Sequence, residues 1–135
     1  MADPSRQRSA ECVLERIILH QQILASPAAI RQATPVVCLT AIPVGRWPEM
    51  RIYRPHRRRW DFLPFAIGMR LDWLVKKGAR QVIYGEEDDW QSLLPAWRPF
   101  FQKARSLQGN SEIDWRLEQE WRVLGDIDLA ELDSE

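Results

Sequence analysis

Glu118, Glu120 and Arg122, three charged residues set two apart, are where the chain concentrates its chemistry. They lie in the twelve-residue stretch Ile113 to Leu124, which holds two tryptophans, three carboxylates and two arginines. With a period of two, Trp115, Leu117, Trp121 and Val123 point one way, and Asp114, Arg116, Glu118, Glu120 and Arg122 the other. The spacing predicts a half-buried strand with an indole-anchored face and a charged face. On such a strand Glu118 and Glu120 stand about 6–7 Å apart, near enough to act on one ligand. A helical reading competes, because Ile113, Leu117, Trp121 and Leu124 also follow helical spacing. The plainest account of the charged face is a ladder of surface ion pairs over core tryptophans, which contributes little stability.

A second concentration of charge lies upstream. Six arginines and one glutamate fall between Arg46 and Trp60, whereas Ser111 to Glu135 holds nine acids and two arginines, and the formal net charge is zero. Arg51, Arg54, Arg57, Arg58 and Arg59, with Tyr53 and Trp60 among them, have the composition of a surface that grips phosphates and stacks on bases. A solvated loop lying against the acidic C-terminal stretch accounts for them equally well. Other chemistries find no residues to carry them. His20 and His56 are the only histidines and have no metal-ligand spacing, so no metal is expected. There is no Gly-x-Gly-x-x-Gly, no phosphate-binding Walker loop and no Gly-x-Ser-x-Gly elbow. Cys12 and Cys38 match no disulfide or zinc pattern and read as reduced, partly buried thiols. The N-terminus is polar and the apolar runs are too short for a bilayer, which points to a cytoplasmic protein without a membrane partner.

The elements that must position these residues follow from pattern and punctuation. At 135 residues the chain is long enough for one real core. Residues 1–10 form a tail, 11–129 a single domain and 130–135 an acidic tail. Ser9 caps a helix over Glu11 to Leu24 that turns Val13, Leu14, Ile17, Ile18 and Gln21 to one side. Pro35 to Pro43 brackets a buried strand. Val44 to Pro64 is a long surface loop, and Phe65 to Met69 a short strand. Leu71 to Lys77 is a short helix with Leu71, Leu74 and Val75 inward, ended by Gly78. Ala79 to Gly85 is a third strand. The acidic run Glu86 to Asp89 opens a helix over Trp90 to Leu107, interrupted near Pro95 and Pro99. The order predicts an α+β fold, a small mixed sheet of about four to six strands packed with two to four helices.

Four segments carry a resemblance. Val36-Val37-Cys38-Leu39-Thr40-Ala41-Ile42-Pro43, Pro64 to Met69, Gly78 to Gly85 and Asp114 to Val123 resemble, in order and spacing, motifs of the AbiGi-like abortive-infection proteins and their bacterial relatives. The resemblance covers about Glu11 to Leu129, with Glu118-Gln119-Glu120-Trp121-Arg122 its strongest part. It implies a bacterial or phage defence protein, of toxin–antitoxin character, related to the ADP-ribosyltransferase fold, with NAD as cofactor. By that likeness Glu120 holds a ribose hydroxyl and stabilises an oxocarbenium-like transition state, and Glu118 orients or deprotonates the acceptor. Thr40, Tyr84 and Arg122 line the same site. The likeness also marks departures: no earlier NAD-gripping strand precedes the first helix, Ala41 stands where a glutamate follows the threonine, and Phe65-Ala66 replaces a tyrosine. Those departures fit a fragment, a degenerate non-catalytic relative, or a protein whose site is completed by a partner. The alternative is an interaction or nucleic-acid-binding module using the arginine-rich loop 46–60.

Overall fold

The computed structural model describes residues 9–28, 30–54, 59–61, 66–108 and 111–134. The chain runs through helix α1 (Ala10–His20), strands β1 (Gln22–Ile23) and β2 (Val36–Thr40), helix α2 (Trp47–Met50), strands β3 (Ile52–Arg54) and β4 (Arg59–Asp61), and helix α3 (Leu71–Lys76). Strands β5 (Arg80–Gln81) and β6 (Ile83–Gly85), helix α4 (Glu87–Ser92), and strands β7 (Phe101–Lys103), β8 (Arg105–Gln108), β9 (Ser111–Asp114), β10 (Glu120–Leu124) and β11 (Ile127–Asp128) follow. Turns of 3-10 helix occupy Val44–Arg46, Pro95–Phe100, Trp115–Glu118 and Leu129–Ser134. The fold is α+β, its strands gathered in small ladders. It divides into two compact units, one from Met1–Ile23, Pro43–Met69 and Asp128–Glu135, the other from Leu24–Ile42 and Arg70–Ile127.

In the first unit, α1 starts where its cap predicts, with Ser9 Oγ accepting the Cys12 N–H at 3.2 Å. It stops at His20, short of the expected Leu24, because Gln21 turns left-handed at φ 52° and donates its N–H back to the Ile17 carbonyl. None of its residues is fully buried. The stretch expected as a bare loop is more ordered than its prolines suggest. Pro48 sits in the first turn of α2, where a missing N–H costs nothing. β3 and β4 then pair antiparallel, Ile52 with Asp61, Tyr53 with Trp60 and Arg54 with Arg59. Residues 55–58 and 62–65 lie outside the described residues.

The second unit is built on the antiparallel ladder β2-β10-β5. β10 is its middle strand, facing β2 from Glu120–Thr40 to Leu124–Val36 and β5 at Trp121–Gln81 and Arg122–Arg80. Val36, Val37 and Val123 are buried, as β-branched residues packed on a sheet should be. The strand expected over 79–85 bends at Val82, whose N–H goes to the Glu120 carbonyl. One half therefore joins β10, while β6 pairs in parallel with β7. At Gly85 a Cβ would stand 2.7 Å from Asp89 Oδ2, so only glycine leaves room for the carboxylate that accepts the Glu86 N–H at 2.7 Å.

Other expectations change here. The helix over 90–107 ends at Ser92; Pro95 and Pro99 confine the chain to a 3-10 turn, and Phe101 onward runs as β7 and β8. Residues 66–69 form no strand. Helix α3 docks by Trp73 and Leu74, while Leu71 and Val75 are exposed, because barely two turns present one narrow stripe. Gly78, at φ +93°, ends it as its position predicts. The single charged strand over 113–124 is broken: the Asp114 carboxylate accepts the Arg116 N–H at 3.1 Å, 115–118 coil into a 3-10 turn, and Gln119 is left-handed at φ 45°. Trp115 in that turn is buried and donates its indole N–H to Ser106 Oγ at 2.7 Å.

Candidate functional site

Arg122 is buried. Strand alternation puts it on a solvent face with Glu118 and Glu120, yet it is 2 % exposed, as is its neighbour Val123. Two successive buried residues mean that both faces of β10 are covered. The guanidinium is satisfied by the fold itself. Its Nε donates to the Glu120 carboxylate, Nη1 donates to the carbonyls of Pro99 at 3.0 Å and Phe101 at 2.8 Å, and Nη2 to Gln102 Oε1 at 3.1 Å. Three of these charge-assisted bonds fasten β10 to the segment 99–102 at the start of β7, two strands that share no ladder, and the fourth holds Glu120 on β10 itself.

Around this pair the fold assembles the other expected site residues. Thr40, the last residue of β2, stands opposite Glu120 in the ladder. Its hydroxyl donates to the Glu118 carbonyl at 2.6 Å and accepts the Ile42 N–H at 3.2 Å. Tyr84 on β6 accepts the Glu120 N–H with its phenolic oxygen at 3.0 Å. Thr40, Tyr84, Glu118, Glu120 and Arg122 are therefore neighbours. Glu118 and Glu120 are not, however, two residues of one strand face, since Glu118 closes a 3-10 turn and Glu120 opens β10. Sequence reasoning missed Gln102, the Pro99 and Phe101 carbonyls and Cys38, which faces Arg122 across the ladder. The signal that pointed toward a buried arginine was the strand's own context: β10 pairs with a β2 that is apolar at consecutive positions.

Two titrating groups record the cluster's electrostatics. Cys38 is an exposed residue, yet partial burial of its thiol, reinforced by the Glu120 charge, pushes its pKa up to about 11. Burial likewise raises Tyr84 to about 12, helped by the Glu120 and Glu118 charges and opposed by the hydrogen bond from the Glu120 N–H. Both groups lose protons more readily when unfolded, so stability is full at neutral pH. It declines as pH rises from 9, the unperturbed thiol value, through about 11. A denaturant midpoint at about pH 10.5 should lie below the neutral one, with the fall reduced in Cys38→Ser. Equal midpoints would contradict this placement of Cys38 and Tyr84.

Of the arginine block, Arg51 is exposed just ahead of β3, Arg54 and Arg59 are opposed across the β3–β4 pair, and Arg57 and Arg58 lie outside the described residues. Among the described residues no group of His, Cys, Asp and Glu is placed to hold a metal ion, and no helix is long and apolar enough to cross a membrane. For NAD, the cluster as it stands offers the Glu120 carboxylate, whereas the Thr40 hydroxyl is committed in both directions. Arg122 spends four donors on the protein rather than on a diphosphate. Comparison with known proteins finds no matching family model, no matching curated protein and no matching solved structure.

Proposed function

We propose that the chain is a non-catalytic binding protein of the bacterial or phage abortive-infection type, in which an ADP-ribosyltransferase-like carboxylate pair has become part of the scaffold. The observation that carries this reading is the bonding of Arg122 and Glu120. A transferase carboxylate must be free to meet a ribose hydroxyl, whereas Glu120 is turned inward onto a buried guanidinium. With Glu118 on a separate turn, the pair does not share one face of a strand, as the transferase reading expects. NAD is then neither cofactor nor substrate.

Binding falls to the arginine-rich ribbon. Five arginines lie between residues 51 and 59, and Arg54 and Arg59 occupy directly opposed positions of β3 and β4. The sequence of the same stretch also holds two aromatic residues, Tyr53 and Trp60, of the kind that stack on bases. A single-stranded nucleic acid offers both the phosphates and the bases.

The test is a titration with single-stranded RNA and duplex DNA across a salt series. Binding should weaken as salt rises, and joint Arg57→Ser, Arg58→Ser and Arg59→Ser substitution should flatten the log–log slope by about 2–3. Binding indifferent to the triple substitution would remove the ribbon from the reading. Incubation with NAD should leave NAD intact; NAD loss that Glu120→Gln abolishes would reinstate catalysis.

A further inference from the structure

Two runs of the second unit, 73–85 and 90–111, hold six lysines and arginines and not one acid, in a chain of zero formal net charge. The fold brings them together. β6 pairs in parallel with β7, and the guanidinium carbon of Arg80 stands 4.4 Å from the ring centre of Trp97. The other exposed arginines of this unit, Arg31, Arg70, Arg105 and Arg116, each hold a carboxylate, whereas Arg80 is set over an indole. An indole holds a guanidinium by its face and takes none of its N–H donors. Trp97 is 37 % exposed, and Leu94, whose carbonyl accepts the Trp97 N–H at 2.9 Å, 66 %. Lys76 and Lys77 are exposed at the end of α3, and the buried Ala79 fixes the turn that follows, its N–H bonded to the Leu74 carbonyl at 2.9 Å. Lysines suit a helix C-terminus on their own account. An arginine set over an exposed tryptophan in the next strand does not follow from that.

We propose that Lys76, Lys77, Arg80 and Trp97 form a second contact surface for single-stranded nucleic acid, built within the second unit alone. The two lysines and Arg80 meet phosphates of the strand, and a base stacks on Trp97 beside the guanidinium. Arg80 is suited to this place because its planar fork can stay on the indole while its N–H edge takes a phosphate. A nucleic-acid strand fits better than an acidic peptide, since every base brings a π-face to an exposed indole and a carboxylate side chain brings none. The surface rests on the reading of the chain as a nucleic-acid-binding protein, but not on the arginine ribbon of the first unit.

The probe is a labelled single-stranded oligouridylate, titrated against the full chain by fluorescence anisotropy across a salt series. Joint Lys76→Ser, Lys77→Ser and Arg80→Ser substitution should flatten the log–log slope by about 2, at about 0.7 for each lost phosphate contact on a single strand. Placed in the Arg57→Ser, Arg58→Ser, Arg59→Ser variant, it should flatten the slope further. Arg80→Lys keeps the charge and should leave the slope unchanged while binding weakens about fivefold. Trp97→Ala should weaken binding about tenfold, again at unchanged slope. Where Trp97→Ala fails to fold, Arg80→Lys decides, since Arg80 is exposed. A wild type that binds no oligouridylate removes the nucleic-acid reading as a whole, and this surface with it. A wild type that binds, with slope and affinity unchanged in the folded Lys76, Lys77 and Arg80 variant, overturns this surface alone. So does polyglutamate that competes as well as unlabelled strand at equal charge, which would mark an acidic protein partner instead.

Discussion

Replacing Arg122 by methionine is expected to destabilise the protein by about 3–5 kcal/mol, the usual cost of removing one member of a buried ion pair. The guanidinium is 2 % exposed and the Glu120 side chain 13 % exposed, so water cannot readily take the arginine's place. The substitution strands a carboxylate together with the Pro99 and Phe101 carbonyls and the Gln102 amide oxygen. Lysine should not rescue, because a point charge with three donors cannot reproduce four bonds from a planar fork. The Glu120→Leu, Arg122→Met double variant should be closer to wild type than Arg122→Met alone, since it leaves no unpaired charge. Urea unfolding of the four proteins checks this. A loss below about 1 kcal/mol for Arg122→Met, the range of an exposed pair, would mean that the guanidinium is solvated and the site open.

The second large effect belongs to Trp90. It is 5 % exposed on α4, and its ring meets Phe101 edge-on at 5.4 Å between centroids and 61° between planes. The guanidinium carbons of Arg31 and Arg98 lie 4.3 and 5.0 Å from its ring centre. Trp90→Ala should cost about 3–5 kcal/mol, the range for deleting a large buried aromatic. Arg31→Ala should cost far less, because Arg31 and its bidentate partner Glu87 are exposed and their attraction is screened. Denaturant midpoints for both variants test the contrast. Similar losses would mean that the cation and not the indole holds α4 in place.

How far the site could be read before folding is visible in Thr40, Tyr84 and Glu120. The order of motifs put them near one another, and the ladder and the Tyr84 hydrogen bond do bring them together. The geometry within the group was not legible. Alternation carries no term for Gln119, whose left-handed backbone resets the phase between Glu118 and Glu120. Nor does it register that the proline-interrupted segment before β7 would supply carbonyls to an arginine 23 and 21 residues on.

What the sequence by itself determined is local. Ser9 starts α1, Gly78 ends α3, prolines bound β2, and the mixture of periods makes the protein α+β. Each of these rests on backbone sterics or on a hydrogen bond within a few residues, so the neighbours in sequence are enough to decide it. Tertiary structure alone decided the fate of the charges. Whether Arg122 faces water or carbonyls depends on what lies over β10, and that cover comes from residues 99–102. An alternating pattern distinguishes two faces of a strand; the packing of distant segments decides which of them is dry.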